Sequence, residues 1–321
     1  MASQSGSKIV VYAALVGNFL IAATKFVAAF FTGSSAMLSE GVHSLVDTVN
    51  ELLLLHGMRR AAKPPDASHP LGYGREIYFW SFIVALLIFS LGAGISAYEG
   101  VVHILSPEPI ENPTVNYIVL ALSMLFEGVS WAIALRAFNK ERGDLGYFAA
   151  IRASKDPTTY TILVEDSAAL LGLIIAFIGI LGAQYLNEPR LDGVASIAIG
   201  FVLAGVAVLL ARESKNLLIG ETALPEVRDA IAEIAGADQA IRHLNGVITT
   251  QLGPNHVIAS VSVEFEDHLS VDAVEQTIQR IEAAIQARYP EVATVFVKPQ
   301  SRTVWQERVA AIEAQAANPQ Y

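Results

Sequence analysis

Long apolar segments separated by short polar ones fill the first 212 residues of the chain. A helix needs roughly 20 mainly apolar residues to span a bilayer. Six segments meet that length, at about residues 9–31, 36–57, 78–104, 114–138, 158–183 and 191–211. The second and fifth segments also contain acidic residues. The pattern therefore predicts a membrane all-α bundle of six transmembrane helices, of which the second and fifth are the least clean hydropathy peaks.

The chain after residue 212 has the periodicity of a small soluble domain. Apolar residues at three- and four-residue spacing predict helices in LPEVRDAIAEIAG and SVDAVEQTIQRIEAAIQARY, the second with Ser270 as its N-cap. Alternating apolar and polar residues predict strands in GVITTQLG, HVIASVSVEFE and VATVFVKP. This order predicts an α+β ferredoxin-like domain. We expect a transmembrane domain over 1–212, a cytoplasmic ferredoxin-like domain over 213–300 and a C-terminal tail over 301–321.

Composition narrows the class of protein. The chain is 53% hydrophobic and only 16% charged, whereas soluble domains are nearer a quarter charged. It has no cysteine, which excludes disulfides and thiolate metal sites. Its net charge of -10 argues against a nucleic-acid partner. A phosphate-binding G-x-x-x-x-G-K-[ST] loop is also lacking, so the sequence does not support ATP-driven chemistry.

The distribution of basic residues predicts the orientation. Two loops are rich in Lys and Arg, namely those after the second and the fourth predicted helix, with Arg59, Arg60, Lys63, Arg75, Lys140, Arg142, Arg152 and Lys155. The loops after the first and third helices have neither residue type, and the loop after the fifth has only Arg190. Basic loops stay on the cytoplasmic side. We therefore expect a multi-pass protein of the inner (plasma) membrane with both termini cytoplasmic.

Ionisable residues within two predicted spans indicate a functional site. His43 and Asp47 lie four residues apart on one face of the second helix, and Asn50 extends roughly that face. Glu165 and Asp166 interrupt the fifth helix. Such residues are costly at membrane depth and by default mark function. Imidazole and carboxylate ligands together suit zinc and neighbouring transition metals. Interhelical hydrogen bonding and a proton relay without metal are the alternatives.

Three further polar residues in the predicted spans have a simpler interpretation. These are Asn18 and Lys25 in the first helix and Glu127 in the fourth. We expect them to pair with one another or to hydrogen-bond across helices rather than to bind metal.

Four stretches of the chain resemble a known family. These are SEGVHSLVDTVN, DASHPLGYG, DPTTYTILVEDSAALLG and LDGVASIAIG. Together with six spans and a ferredoxin-like tail, they resemble the cation diffusion facilitator family. They are most similar to the branch that contains the mitochondrial zinc transporter of animals and its bacterial relatives.

The resemblance implies a homodimer that exchanges metal for protons by alternating access. It also implies two metal ligands on the second helix and two on the fifth. His43, Asp47 and Asp166 match three of these positions, whereas the fourth is Ile162, which cannot bind metal. Glu165, Asn50 or a water molecule would then complete the coordination.

The expected function is efflux of a divalent transition metal, which we take to be zinc, by proton antiport. The metal ion is substrate, no organic cofactor is implied, and the partners are metal, protons, the bilayer and a second copy of the chain. One alternative is export of manganese, iron(II), cobalt or nickel. Another is a membrane scaffold or receptor that does not transport. No nucleophile–base arrangement appears, so we do not expect an enzyme.

The loop after the second predicted helix and the C-terminal domain also contain residues that are weaker candidates for metal binding. The loop HPLGYGR is expected to be a structural turn, with His69 or Asp66 as transient metal contacts at most. His243, His256 and His268 in the C-terminal domain are expected to be surface histidines. Lys298 stands where a ligand-bearing segment is common in the family. We therefore expect a weak or rearranged metal site in that domain, or none.

Overall fold

The structure, a computed structural model, describes residues 2–32, 35–107 and 113–317. It divides into two compact units between Asn216 and Leu217. The elements within the described residues are α1 Ala2–Thr32, α2 Ser35–Ala61, α3 Glu76–Leu87, α4 Gly94–Leu105, α5 Pro113–Arg142, α6 Tyr147–Ala153, α7 Pro157–Tyr185, α8 Arg190–Ile219, α9 Pro225–Gly236, β1 Ile241–Gly253, β2 His256–Phe265, α10 Val271–Arg288, β3 Val292–Pro299 and α11 Arg302–Ala317.

The first unit contains the predicted transmembrane helices. Five helical spans of the described residues are long and apolar enough to cross a bilayer. One of them is Glu76–Leu105, in which a π-helical segment, Ile88–Ala93, joins α3 to α4. The helix α2 is not among the five because its polar residues lower its hydropathy. With 27 residues it is nevertheless about 40 Å long, which is enough to span.

The core of this unit lies among α1, α2, α5 and α7. Each contributes a fully buried apolar residue, namely Val11, Leu54, Ala134 and Tyr160. Large apolar side chains point outward instead, among them Phe19, Phe30, Tyr98 and Phe201. An outward apolar surface around a partly polar interior is the arrangement that a bilayer favours. The predicted all-α membrane bundle is therefore confirmed.

The helices α4 and α8 pack through small residues. A Cβ atom on Gly100 would lie 2.6 Å from the carbonyl oxygen of Gly193, and one on Gly193 would lie 2.7 Å from that of Gly100. Glycine at both positions lets the two backbones approach closely, as is common between membrane helices.

The second unit is the predicted α+β domain. Its sheet has the order β1-β2-β3, with β1 antiparallel and β3 parallel to β2. The apolar faces of α9 and α10 share a core with the strands that includes Ile231, Val261, Ile285 and Val292. Ser270 caps α10 by accepting a hydrogen bond from the Ala273 N–H at 3.3 Å, as predicted. The tail beyond residue 301 forms α11, whose Trp305 packs against Gly246 of β1.

Candidate metal site

The N-terminal end of α7 fixes the depth of its two acidic residues. Asp156 is the N-cap and accepts a hydrogen bond from the Thr158 N–H at 3.0 Å, and Pro157 is the first helical residue. Both features favour a helix start at this point. Glu165 and Asp166 follow two turns later and are 9% and 3% exposed. Two carboxyl groups are thereby held inside the bundle.

Glu165 and Asp166 contact different helices. The Asn50 side chain of α2 donates to Glu165 Oε1 at 3.0 Å. The Ser130 hydroxyl of α5 donates to Asp166 Oδ2 at 2.7 Å. Consecutive helical residues differ by about 100° in direction, which accounts for the two partners. The inward position of Glu165 and its contact with Asn50 bring together two of the predicted candidate ligands.

On α2, Asp47 is partly buried and lies close enough to Glu165 and Asp166 for their charges to interact. The side chain of His43 lies outside the described part of the structure. Among the side chains that are described, no three His, Asp or Glu groups are close enough to hold one metal ion. The charges of Asp47, Glu165 and Asp166 therefore interact, but these three side chains are not close enough together to coordinate one metal ion. Ile162 is buried in the apolar core at 1% exposure.

Glu51 is a further buried acidic residue, in addition to the predicted candidate ligands. It is 1% exposed, and Asn18 of α1 donates to its Oε1 at 2.7 Å. Its charge interacts with those of Glu165, Asp47 and Asp166. The spacing contained a signal for it, because Glu51 follows Asp47 by four residues and so continues the face of His43 and Asp47.

Asn18 and Lys25 of α1 hydrogen-bond across helices as predicted. Besides the bond from Asn18 to Glu51, Lys25 Nζ of α1 donates to the Ser44 hydroxyl of α2 at 2.9 Å. Glu127 of α5 is 7% exposed and interacts electrostatically with Lys25 and with the acidic residues of α2 and α7. The buried interior thus combines five carboxyl groups with at least one ammonium group.

The loop between α2 and α3 is organised around Asp66. Its Oδ1 accepts hydrogen bonds from the Ser68 N–H, the Ser68 hydroxyl and the His69 N–H, and its Oδ2 accepts one from the Tyr73 hydroxyl at 2.6 Å. These bonds, of which that from Tyr73 contributes most, hold the pKa of Asp66 well below its usual value. Gly72 has a φ of +76°, which favours glycine. This geometry favours the structural interpretation of HPLGYGR.

The three histidines of the C-terminal unit are spread over different elements. His243 lies on β1 opposite Glu264 of β2, His256 begins β2, and His268 is exposed in the turn before α10. Burial lowers the pKa of His256. The described residues of this unit contain no group of three or more His, Asp or Glu residues that could hold a metal ion.

An apolar bundle with charged groups inside it, followed by a small α+β domain, defines a multi-pass membrane protein. Residues 11–219 match the cation efflux transmembrane domain, and residues 223–300 match the cytoplasmic domain of cation efflux proteins. The chain belongs to the cation efflux family, which confirms the resemblance drawn from the sequence motifs. Since members of this family are transporters, the prediction that the chain is not an enzyme is also confirmed.

Individual relatives agree with this assignment. The human mitochondrial proton-coupled zinc antiporter is 33% identical over 296 residues, which cover 90% of this chain and 52% of that protein. A metal tolerance protein of Arabidopsis thaliana is 30% identical over 260 residues, covering 80% and 57%. The cation-efflux pump FieF of Klebsiella pneumoniae is 26% identical over 292 residues, covering 90% and 92%. The chain thus spans about half the length of the first two.

Proposed function

We propose that this protein exports a divalent transition metal, zinc in the first place, in exchange for protons. The observation that carries the proposal is the hydrogen bond between Asn50 and Glu165, which brings α2 and α7 together beside Asp47 and Asp166. Relatives named as a zinc antiporter and a cation-efflux pump support the same function.

In this proposal His43, Asp47 and Asp166 bind the ion, and Glu165, Asn50 or a water molecule takes the place opposite Ile162. The ligands must lose their protons before metal binds, so metal affinity rises with pH. Exposure of the site to the more acidic side returns protons to the ligands and releases the metal. The proton gradient then drives export through alternating inward- and outward-facing states.

We further propose that the protein lies in the inner (plasma) membrane with both termini and the domain at 213–300 in the cytoplasm. The basic loops after α2 and α5 support this orientation. A homodimer is supported by the match of residues 223–300 to the family's cytoplasmic domain. Ile248 and Phe296, which are 61% and 56% exposed on the same face of the sheet, provide apolar surface for it. Light scattering should then give twice the chain mass of 34.4 kDa, after correction for bound detergent.

Zinc uptake into vesicles tests the proposal. With an acidic interior, vesicles containing the purified protein should accumulate zinc, and Asp47→Ala should reduce uptake to that of empty vesicles. Glu188→Gln, which alters an exposed ion pair with Arg190, is the control and should transport normally. Full uptake by Asp47→Ala would remove Asp47 from the site, and no uptake by the wild-type protein would favour a scaffold or receptor.

A second pair of variants assigns the two acidic residues of α7. If Asp166 is a ligand and Glu165 is not, Asp166→Asn should lose zinc affinity while Glu165→Gln keeps it. Equal losses would place both carboxylates in the coordination shell.

Manganese or iron(II) is the second candidate substrate. A site with one imidazole and several carboxylates offers harder ligands, in the hard–soft sense, than a site with two imidazoles. Hard ligands suit manganese and iron(II). Competition of each metal against zinc uptake distinguishes the two, because the physiological substrate should compete at the lowest concentration.

A further inference from the structure

Two buried oxygen atoms on α2 have no hydrogen-bond donor among the described residues. They are Asn50 Oδ1 and Glu51 Oε2, on side chains that are each 1% exposed. The other polar atoms of these groups are satisfied, since Asn50 Nδ2 donates to Glu165 and Glu51 Oε1 accepts from Asn18. A buried acceptor without a donor is costly, and each such atom calls for an explanation such as an ion or a water molecule. Both unpartnered atoms are of the kind that binds a cation.

A second carboxylate lies beside this pair. Among the charges that act on Glu51, that of Glu165 is the strongest, followed by those of Asp47 and Asp166. Among the charges that act on Glu165, that of Asp47 is the strongest. The charge of Glu165 therefore interacts with those of both Asp47 and Glu51. Buried carboxylates whose charges interact repel each other, and a cation bound by both would relieve the repulsion.

We propose that Asn50, Glu51 and Glu165 form a second cation site, one helical turn from Asp47 towards the C-terminal end of α2. Its donors are two carboxylates and an amide oxygen, with neither imidazole nor thiolate. An all-oxygen donor set of this kind suits hard divalent ions such as Mn²⁺ and Mg²⁺. Glu165 is shared with the site around Asp47, so an ion can pass from one to the other through its carboxylate.

The second site lies nearer the C-terminal end of α2 than Asp47 does, which places it on the path of an ion that enters from that end. The C-terminal end of α2 leads into the loop with Lys63 and Arg75, which the orientation places in the cytoplasm. The second site is then the first that an ion meets from that side. This role rests on the proposed transport function, whereas binding at the site does not.

Binding of Mn²⁺ to the purified full-length protein in detergent tests the proposal. The electron paramagnetic resonance signal of free Mn²⁺ falls as the ion binds, which gives affinity and stoichiometry without transport. Asp166→Asn disables the first site and leaves Asn50, Glu51 and Glu165 intact, so it should still bind Mn²⁺. Adding Glu51→Gln to that variant should weaken binding at least about tenfold. The Gln side chain keeps the oxygen that accepts from Asn18, which favours normal folding.

Glu213→Gln is the matched control, because Glu213 is another buried glutamate, 8% exposed, on α8 and outside this group. In the Asp166→Asn background it should bind Mn²⁺ as the background does. Asn50→Asp should instead tighten Mn²⁺ binding, since it adds a third carboxylate, and a gain in affinity cannot come from misfolding. Equal Mn²⁺ affinity with and without Glu51→Gln would overturn the second site, as would no binding by Asp166→Asn. Asp47-dependent zinc uptake is a separate measurement that neither of these results would change. Failure of the second site and failure of the transport proposal can therefore be distinguished.

Discussion

The contact between α2 and α7 and the contact between α4 and α8 use opposite kinds of residue. At α4 and α8 the backbones approach so closely at Gly100 and Gly193 that neither position has room for a side chain. At α2 and α7 the helices are joined by polar side chains, Asn50 and Glu165, next to further carboxyl groups. Small residues are sufficient to hold membrane helices together.

This contrast separates the residues that hold the bundle together from those that we assign to ion binding. Buried carboxylates are expensive in a bilayer, and α4 with α8 demonstrates that the bundle can pack without them. We therefore attribute the acidic residues of α2 and α7 to the proposed binding of a cation. On this account, changes at the glycine contact should affect folding, and changes at the acidic contact should affect ion binding and transport.

The largest effect on stability is expected from Gly100→Val. Its side chain would overlap the Gly193 carbonyl group, a backbone atom that cannot move aside by a rotamer change. We expect a loss of about 3 kcal/mol or more, and little monodisperse protein on size-exclusion chromatography. A well-folded Gly100→Val variant would mean that α4 and α8 do not pack as described.

A smaller loss is expected from Asn18→Ala at the acidic contact. The substitution removes the donor to Glu51 Oε1 and leaves a buried oxygen without a partner. We expect the protein to lose about 1–3 kcal/mol of stability, measured by thermal unfolding in detergent. An unchanged midpoint would indicate that Glu51 does not depend on this bond.

A gain in stability is expected from Gly205→Ala on α8. A Cβ atom at this position would meet nothing within 4 Å, in contrast to Gly100. Alanine is the better helix former, so we expect an increase of about 0.5–1 kcal/mol. Thermal unfolding of Gly205→Ala beside the wild-type protein measures this increase. A destabilised Gly205→Ala would show that α8 is more tightly packed at this position than its glycine contacts indicate.

The smallest effect is expected from Tyr73→Phe in the loop after α2. The variant loses the hydrogen bond that contributes most to the low pKa of Asp66, so that pKa should rise towards its usual value of about 3.9. A lowered carboxyl pKa stabilises the folded state above about pH 4, and this contribution is lost as the pH falls below that value. The variant should therefore be slightly less stable at pH 7 than the wild type, and the difference should shrink on acidification.

Zinc uptake distinguishes the two interpretations of this loop in the same variant. If the loop is structural, Tyr73→Phe should transport zinc at the wild-type rate. A marked loss of uptake in a folded variant would instead favour a role for Asp66 or His69 in guiding metal.

Much of the fold follows from the sequence because periodicity is a local property. The starts of α7 and α10 are determined by the caps Asp156 and Ser270, which any reader of the sequence can find. The strand β1 begins at Ile241, five residues before the predicted start, because register shifts near His243 and Leu244 break the alternation of polar and apolar residues. The helix α6 is too short, at seven residues, to show a clear period.

The site was less predictable because it depends on contacts between distant parts of the chain. Glu165 was a candidate ligand although it lies about 100° from Asp166 around the helix, and the sequence could not show that it contacts Asn50 of α2. The spacing of Glu51 from Asp47 places it on the same face of α2, but its bond with Asn18, 33 residues away on a different helix, could not be predicted. Helix periodicity assigns residues to a face, but the rotation of each helix in the bundle decides which faces meet.

The proposed transport requires a metal ion to be held where the acidic residues of α2 and α7 meet. A zinc-bound crystal structure with anomalous data at the zinc edge tests it most directly. We expect an anomalous peak within about 2.2 Å of carboxylate oxygens of both Asp47 and Asp166, with a ring nitrogen of His43 at about 2.1 Å. A zinc peak elsewhere in the bundle, with these three side chains too far apart to share one ion, would contradict it.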